Sequence, residues 1–331
     1  MPAQPSVEAV FPRVPQARGH YESFYLRAVH PTDPLGVWIR YTVHKRPGAA
    51  PRGSVWFTLF DSATGAPHAS KVTHEGPEAP AGGYIRIGES VFEPGHATGA
   101  AKTEQCDASW DLTVAPTAPP FRHLPGEWMY RRRLPKTKTE SPMPAARFDG
   151  SVEVDGRPIT LDGWPGMMGH NWGAQHAERW VWLHGIGFED HPDAWLDAAV
   201  GRVKLGRATT PWIGNGCLHL DGTSYRLGGL GAFRATEVDE SPEHCEVRLP
   251  GEGLTVLVDV GSEPSNLVAW RYADPDGGEH TTTNCSIARM GLVAHLDGDR
   301  VVELITEHCA TYELGAREAA PGIPVQPFPD G

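Results

Sequence analysis

No segment of the chain approaches the roughly 20 consecutive apolar residues of a membrane-spanning helix, and Met1–Val7 carries neither the basic nor the apolar region of a secretory signal. The expected address is the cytoplasm. Basic charge is also scarce. With 29 Lys and Arg against 41 Asp and Glu, the formal net charge of -12 argues against a protein that tracks nucleic-acid phosphates. The one basic cluster, Arg131–Arg133 with Lys136 and Lys138, reads as a solvated connection. The five cysteines, Cys106, Cys217, Cys245, Cys285 and Cys309, are scattered and odd in number, with no Cys-x-x-Cys pair, which excludes a redox dithiol or zinc ribbon and leaves small reduced hydrophobes. There is no Gly-x-Ser-x-Gly elbow, so a serine nucleophile has no support. Gly228-Gly229-Leu230-Gly231 lies between expected strands and does not open a helix, so a nucleotide cofactor is not expected. Nor is a metal: His170, His176, His184 and His191 share one region, but no pair has the spacing that puts two ligands on one face of a helix or strand.

Glycine and proline, 38 and 31 residues, are plentiful, and they punctuate short apolar and aromatic runs from end to end. That is the pattern of an all-β chain. Its 331 residues suffice for two domains of ordinary size. Residues 20–29 and 36–44 read as a hairpin about Pro31-Thr32-Asp33-Pro34, with Val37, Ile39, Tyr41 and Val43 forming an apolar face. Further strands are expected in the first half, the last of them over 127–132. The proline-rich stretch 134–144 then reads as an extended connection, dividing the chain between Arg132 and Arg147. A second series starts at Ala146, with Asp155-Gly156, Asp221-Gly222 and Asp297-Gly298 as hairpin turns. The expected layout is an extension over 1–18, a domain over 19–145, a second over 146–315 and a tail over 316–331. Each domain has strands enough for a barrel or a sandwich.

The window Asp162–Gly185 holds four tryptophans, three histidines and five glycines. Its second part, from Trp180 to Phe188, reads as a strand with Trp180, Trp182 and His184 on one face. Its first part, rich in glycine and holding Pro165, reads as a structured loop that brings His170, Asn171 and His176 to the mouth of a cavity. His170 and His184 are candidate acid/base groups, or else hydrogen-bonded structural histidines. Asp162 and Glu178 are either turn and surface charges or, if buried against indoles, general acids. Trp172, Trp180 and Trp182, with Trp128 and Tyr130 from the other half, are candidates for an aromatic cage that stabilises positive charge; singly, each is an ordinary core residue. Glu22 and Arg40 fall on neighbouring strands, either as a cross-strand ion pair or as a polar anchor for a ligand.

The runs Glu22–Ala28 and Trp38–Tyr41, the run ending Leu134-Pro135-Lys136-Thr137-Lys138, and Gly169-His170-Asn171-Trp172-Gly173 before a tryptophan-rich strand resemble the AttH-like superfamily. This group includes the carotenoid 1,2-hydratases (hydroxyneurosporene synthases) and, more distantly, fungal lipocalin-like Diels-Alderases. The resemblance implies two tandem lipocalin-like antiparallel β-barrels and a pocket for a bulky apolar molecule. It leaves the reaction open, because fold alone does not carry function. No basic amphipathic helix is present to place the chain on a bilayer beside a membrane-dissolved polyene. Two functions follow as expectations: a cofactor-free hydratase, isomerase or cyclase for an isoprenoid- or polyketide-like molecule, or a carrier that binds such a molecule unchanged.

Overall fold

The computed structural model describes Gln4 and residues 7–329. Most of the Met1–Val7 stretch and the last two residues of the expected tail therefore lie outside the described residues. Eleven strands form the first sheet: β1 (His20–Val29), β2 (Leu35–Lys45), β3 (Arg52–Asp61), β4 (His68–Glu75), β5 (Ile85–Ile87), β6 (Ser90–Glu93), β7 (His96–Lys102), β8 (Asp107–Pro116), β9 (Phe121–Arg122), β10 (Thr137–Val154) and β11 (Arg157–Gly173). Their order is β4-β3-β2-β1-β11-β10-β8-β7-β6-β5, all antiparallel, with β9 beside β10. The sheet rolls up until β4 meets β7, where the Ser70 hydroxyl donates to the Ala101 carbonyl at 2.8 Å.

The remaining strands are β12 (Arg179–Ile186), β13 (Trp195–Arg202), a small β14–β15 hairpin (Lys204–Leu205 and Ala208–Thr209), β16 (Ile213–Leu220), β17 (Thr223–Gly228), β18 (Glu237–Glu240), β19 (His244–Gly251), β20 (Leu254–Gly261), β21 (Val268–Ala273), β22 (Glu279–Leu296) and β23 (Arg300–Ala316). Here β17-β16-β13-β12-β23-β22-β20-β19 closes on itself through the Leu227–Gly251 pairing, giving an eight-stranded barrel; β18 and β21 lie beside β19 and β22. The molecule is all-β and built as two tandem lipocalin-like units. Among the described residues no helix is long and apolar enough to cross a membrane.

Three expectations change. The chain passes from the first sheet to the second over 174–178, not between Arg132 and Arg147, because the long β10–β11 hairpin pairs with β8 and β1. Of the three prolines that suggested a linker, Pro135 precedes β10 and the other two lie within it. Pro142 and Pro144, which have no N–H to give a ladder, fall where the register shifts between Glu140, Met143 and Ala146. Second, the glycine-rich part of the 162–185 window is strand β11, not a loop. Two of its glycines are there for close approach: a Cβ on Gly166 would lie 2.0 Å from the Arg27 carbonyl oxygen, and one on Gly169 would lie 2.1 Å from the Tyr25 ring. Third, residues 127–131 form a short helix (α1, Glu127–Arg131). The hairpin turns at Asp155-Gly156 and Asp221-Gly222 are as expected, both residues of each having positive φ.

Alternation along the strands divides the first sheet into two faces. Phe24, Leu26, Val37, Ile39, Tyr41 and Phe57 pack inward with Trp110, Phe148 and Met168. On the other face Tyr25, Arg27, Trp38 and Trp56 meet the second barrel. Tyr25 packs edge-on to Trp182, Trp56 packs on Trp270, and Arg27 donates to the Ser286 carbonyl at 2.9 Å. Strand β12 is likewise buried on both sides, with Val181 and Leu183 in the barrel core and Trp182 toward the first sheet. The tail crosses the seam: Gln326 N–H donates to the Ala269 carbonyl, Phe328 approaches Trp270, and the Lys71 ammonium donates to the Pro329 carbonyl. All five cysteines are free and buried.

Candidate functional site

A cavity of about 250 Å³ opens along this seam. Tyr21 and Tyr25 of β1, Trp38 and Arg40 of β2 and Asn171 of β11 line one side; Trp180 and Trp182 of β12, with Tyr272 and Glu313, line the other. The connecting residues Gln175 to Glu178 and the segment around His123 complete the wall.

The two indoles of β12 share a design. Trp182 Nε1–H donates to Asp197 Oδ1 at 3.1 Å, and Trp180 Nε1–H donates to Glu313 Oε1 at 2.9 Å. Asp197 and Glu313 come from β13 and β23, the strands on either side of β12. A buried carboxylate thus accepts the N–H at the edge of each indole ring and fixes the ring in the cavity wall. Asp197 also accepts from the Ser141 hydroxyl and lies 3.2 Å from His123 Nε2. Burial pushes its pKa up, but the His123 charge and hydrogen bond, then His184 and Ser141, outweigh burial and bring it down to about 2. The Nδ1 of His123 faces the Asn215 carbonyl at 3.3 Å, so this imidazole meets an acceptor at both nitrogens.

Arg40 lies directly across from Tyr25 in the β1–β2 ladder. Its Nε donates to Ser23 Oγ at 2.6 Å and its guanidinium lies 4.0 Å over the Tyr272 ring, while Nη1 is buried without a hydrogen-bond partner. Asn171 Oδ1 is unpartnered as well. Burial first, then the charges of Asp197 and Glu313, hold the Tyr25 pKa well above the ordinary value, so its hydroxyl stays protonated and can donate.

At the end of the cavity His176 stacks on Tyr21 at 3.9 Å and on Trp180 at 5.6 Å. Its Nδ1 is 2.8 Å from Asp274 Oδ1, which also accepts the His176 backbone N–H. His280 lies beside them, its pKa pushed down to about 4 by burial and then by His176.

Of the residues singled out in the sequence, Arg40, Asn171, His176, Glu178, Trp180 and Trp182 meet at the cavity. The others do not. His170 points into the first barrel, 1% exposed, with Nε2 at 2.9 Å from Glu22 and Nδ1 at 3.0 Å from Glu140, between Phe24 and Trp172. Burial opposes its proton, yet the two carboxylates raise its pKa. Glu22 accepts from the Val10 and Phe11 N–H groups besides, so it ties down the N-terminal segment; it makes no pair with Arg40, which is on the opposite face. His184 shares the Trp180–Trp182 face but sits beyond the cavity, accepting from Arg27 Nη1 and donating to the Pro144 carbonyl; burial and Arg27 lower its pKa to about 4. Asp162 is exposed, Trp128 is 64% exposed on α1, and Trp172 and Tyr130 pack away from the cavity. Glu178 pairs with Arg317 at 2.9 Å.

Sequence reasoning missed Asp197, Glu313, His123, Tyr25, Asp274 and His280. Asp197 and Glu313 had a usable signal: each is a lone acid inside an apolar strand run, Trp195–Val200 and Tyr312–Leu314, where an unpaired charge is costly.

No family model matches the chain. The uncharacterized proteins Rv0493c and MT0513 of two Mycobacterium tuberculosis strains, H37Rv and CDC 1551, are each 27% identical over 320 residues, covering 95% of this chain and 92% of their own. Among solved structures, a protein provisionally assigned as AttH from Nitrosomonas europaea aligns with a TM-score of 0.52 at 13% identity, over 96% of this chain and 99% of its own. Kievitone hydratase from Nectria haematococca aligns at 0.54 and 11% identity, over 91% and 90%. CghA, solved with Sch210972, aligns at 0.54 and 13% identity, over 90% and 88%. In fold, the chain is therefore similar to these three proteins, with a tandem lipocalin-like architecture.

Proposed function

We propose that the seam cavity binds a bulky apolar molecule, isoprenoid- or polyketide-like and bearing an oxygen acceptor, and performs acid/base chemistry on it: hydration, isomerisation or cyclisation. The observation that carries this reading is the Arg40 guanidinium, 5% exposed and with Nη1 unpartnered, in a wall it shares with the rings of Tyr21, Tyr25, Trp38, Trp180, Trp182 and Tyr272. A buried cationic donor without an acceptor is unfavourable unless a ligand supplies one. With the Tyr25 hydroxyl beside it, Arg40 is suited to take a carbonyl oxygen and withdraw electrons from a conjugated system, which activates the remote carbon toward water or toward ring closure. The His123–Asp197 pair is suited to move the proton, with Asp197 compensating the charge on the imidazole. Kievitone hydratase, which shares the fold and is by name a hydratase, lends support to such chemistry.

A carrier remains the second reading, and one observation favours it: both nitrogens of His123 and both oxygens of Asp197 already have partners within the protein. The test is mass spectrometry of small molecules retained through purification, followed by incubation with bulky enones. Conversion of a bound compound to a hydrate or an isomer of equal mass supports the enzyme. Recovery of every tightly bound compound unchanged leaves the carrier.

A further inference from the structure

Asp274 and His280 lie behind the cavity wall formed by His176, and neither lines the cavity itself. Asp274 is at the end of the β21 region, His280 is on β22, and His176 is in the connection between the two barrels, so three separate parts of the chain meet here. One ligand atom from each lies within 4.8 Å of the other two. Asp274 is fully buried and His280 is 1% exposed. Yet Asp274 Oδ2, His176 Nε2 and both nitrogens of His280 have no hydrogen-bond partner. The distance from His280 Nδ1 to Asp274 Oδ2 is 3.9 Å, beyond hydrogen-bond range but short of a comfortable separation.

Buried polar atoms are almost always satisfied, and four orphans in one cluster need a common explanation. Protonation does not supply one. A proton on either His280 nitrogen gains no acceptor at hydrogen-bond distance, and the Glu178–Arg317 ion pair, which acts on His280 from the side, is already closed. A single cation satisfies several orphans at once. We propose that His176, Asp274 and His280 form a binding site for a divalent first-row transition metal ion of the zinc type. Two imidazoles and one carboxylate are a donor set these ions favour. Bond lengths of about 2.0–2.2 Å place neighbouring ligand atoms about 3–3.5 Å apart, so the cluster needs only a small contraction. Three protein ligands leave a coordination position for water or a ligand oxygen, and His176 joins the metal site to the wall of the cavity. The site does not depend on the acid/base reading of Arg40 and His123, which use different residues.

The second group of metal-capable side chains among the described residues, His244, Glu246 and Asp259, is exposed on the second barrel and serves as the internal control. The chelator-treated protein is titrated with cobalt(II) and then with zinc(II). The expected result is one saturable equivalent with a visible ligand-field spectrum of low coordination number, displaced by zinc, and quenching of tryptophan fluorescence through Trp180, whose ring lies 5.2 Å from that of His280. Asp274→Asn and His280→Gln each weaken binding at least 100-fold, while His244→Gln leaves it unchanged. Absence of a saturable equivalent at micromolar cobalt in the unmutated protein overturns the proposal, whatever the variants do. So does a site lost in His244→Gln and kept in Asp274→Asn. Both readouts are independent of turnover, so failure here and failure of the proposed activity are separately visible.

Discussion

The two faces of the first sheet hold polar clusters only one residue apart in sequence, and they behave in opposite ways. On the inner face, Glu22, His170 and Glu140 form a ladder in which both nitrogens of the histidine and both oxygens of Glu22 are partnered. On the outer face, the immediate neighbours Tyr21, Asn171 and, across the ladder, Arg40 line a cavity, and two of the three carry unpartnered atoms. Burial alone does not distinguish the faces. Completion of the hydrogen bonds does, and it separates side chains that hold the fold from side chains left open toward a ligand.

The largest expected difference between the cavity side and the inner cluster is in turnover. His123→Gln is expected to lower turnover of a cavity substrate by roughly 10² to 10⁴, the usual worth of an acid/base group. His170→Gln leaves the turnover of the folded fraction within about threefold. Equal losses in both variants would deny the His123–Asp197 pair at the cavity a role that the His170 cluster lacks. Next comes stability. His170→Leu strands Glu22 and Glu140 against each other, and breaking a buried pair costs about 3–5 kcal/mol, read as a lower urea midpoint. Arg40→Met is expected to leave the midpoint nearly unchanged, because an apolar side chain of similar volume replaces an incompletely paired charge.

The two buried histidines give opposite pH dependence. His184 has its pKa lowered to about 4, so the unfolded chain takes up a proton below pH 6.5 that the folded chain refuses. Its contribution, roughly 3 kcal/mol at most, is full above pH 6.5 and is lost as pH falls toward 4. His170 has a raised pKa, so its contribution is full below pH 6.5 and fades as pH rises through the folded-state value. Urea midpoints measured from pH 8 to pH 4 are expected to show the acid-side decline flattened in His184→Gln and the alkaline-side decline flattened in His170→Gln. Smaller still, Arg40→Met should weaken a carbonyl-bearing ligand by about 1.5–3 kcal/mol, roughly 10- to 150-fold, in a calorimetric titration. Smallest of all, Trp128→Ala on the exposed face of α1 should change both stability and binding by no more than about 0.5 kcal/mol.

Much of the strand content was legible because alternation and turn chemistry are local. Asp155-Gly156 marks its hairpin without reference to anything distant, and Trp180 and Trp182 share a face by the period of a strand alone. The glycines of β11 misled for a physical reason: what they accommodate, the Arg27 carbonyl and the Tyr25 ring, belongs to a strand about 140 residues earlier. In the same way the prolines of β10 read as a linker until its partner strands showed them at register shifts. The aromatic side of the cavity was visible as a tryptophan-rich strand, but the groups that give it chemistry were not. His123 meets Asp197 across 74 residues and His176 meets Asp274 across 98, and no spacing rule reaches that far.

The cavity is walled by strands, whose alternate residues are committed to a barrel interior, and this constrains how such proteins diverge. A one-residue insertion or deletion in β1, β2 or β11 would exchange the two faces, carrying Glu22 and His170 into the cavity and Tyr21 and Asn171 into the core. Ligand preference in descendants of this chain is therefore expected to drift by substitution at every second strand position and by changes of length in the connecting segments, such as 123–136 and 174–178, while the strands keep their register.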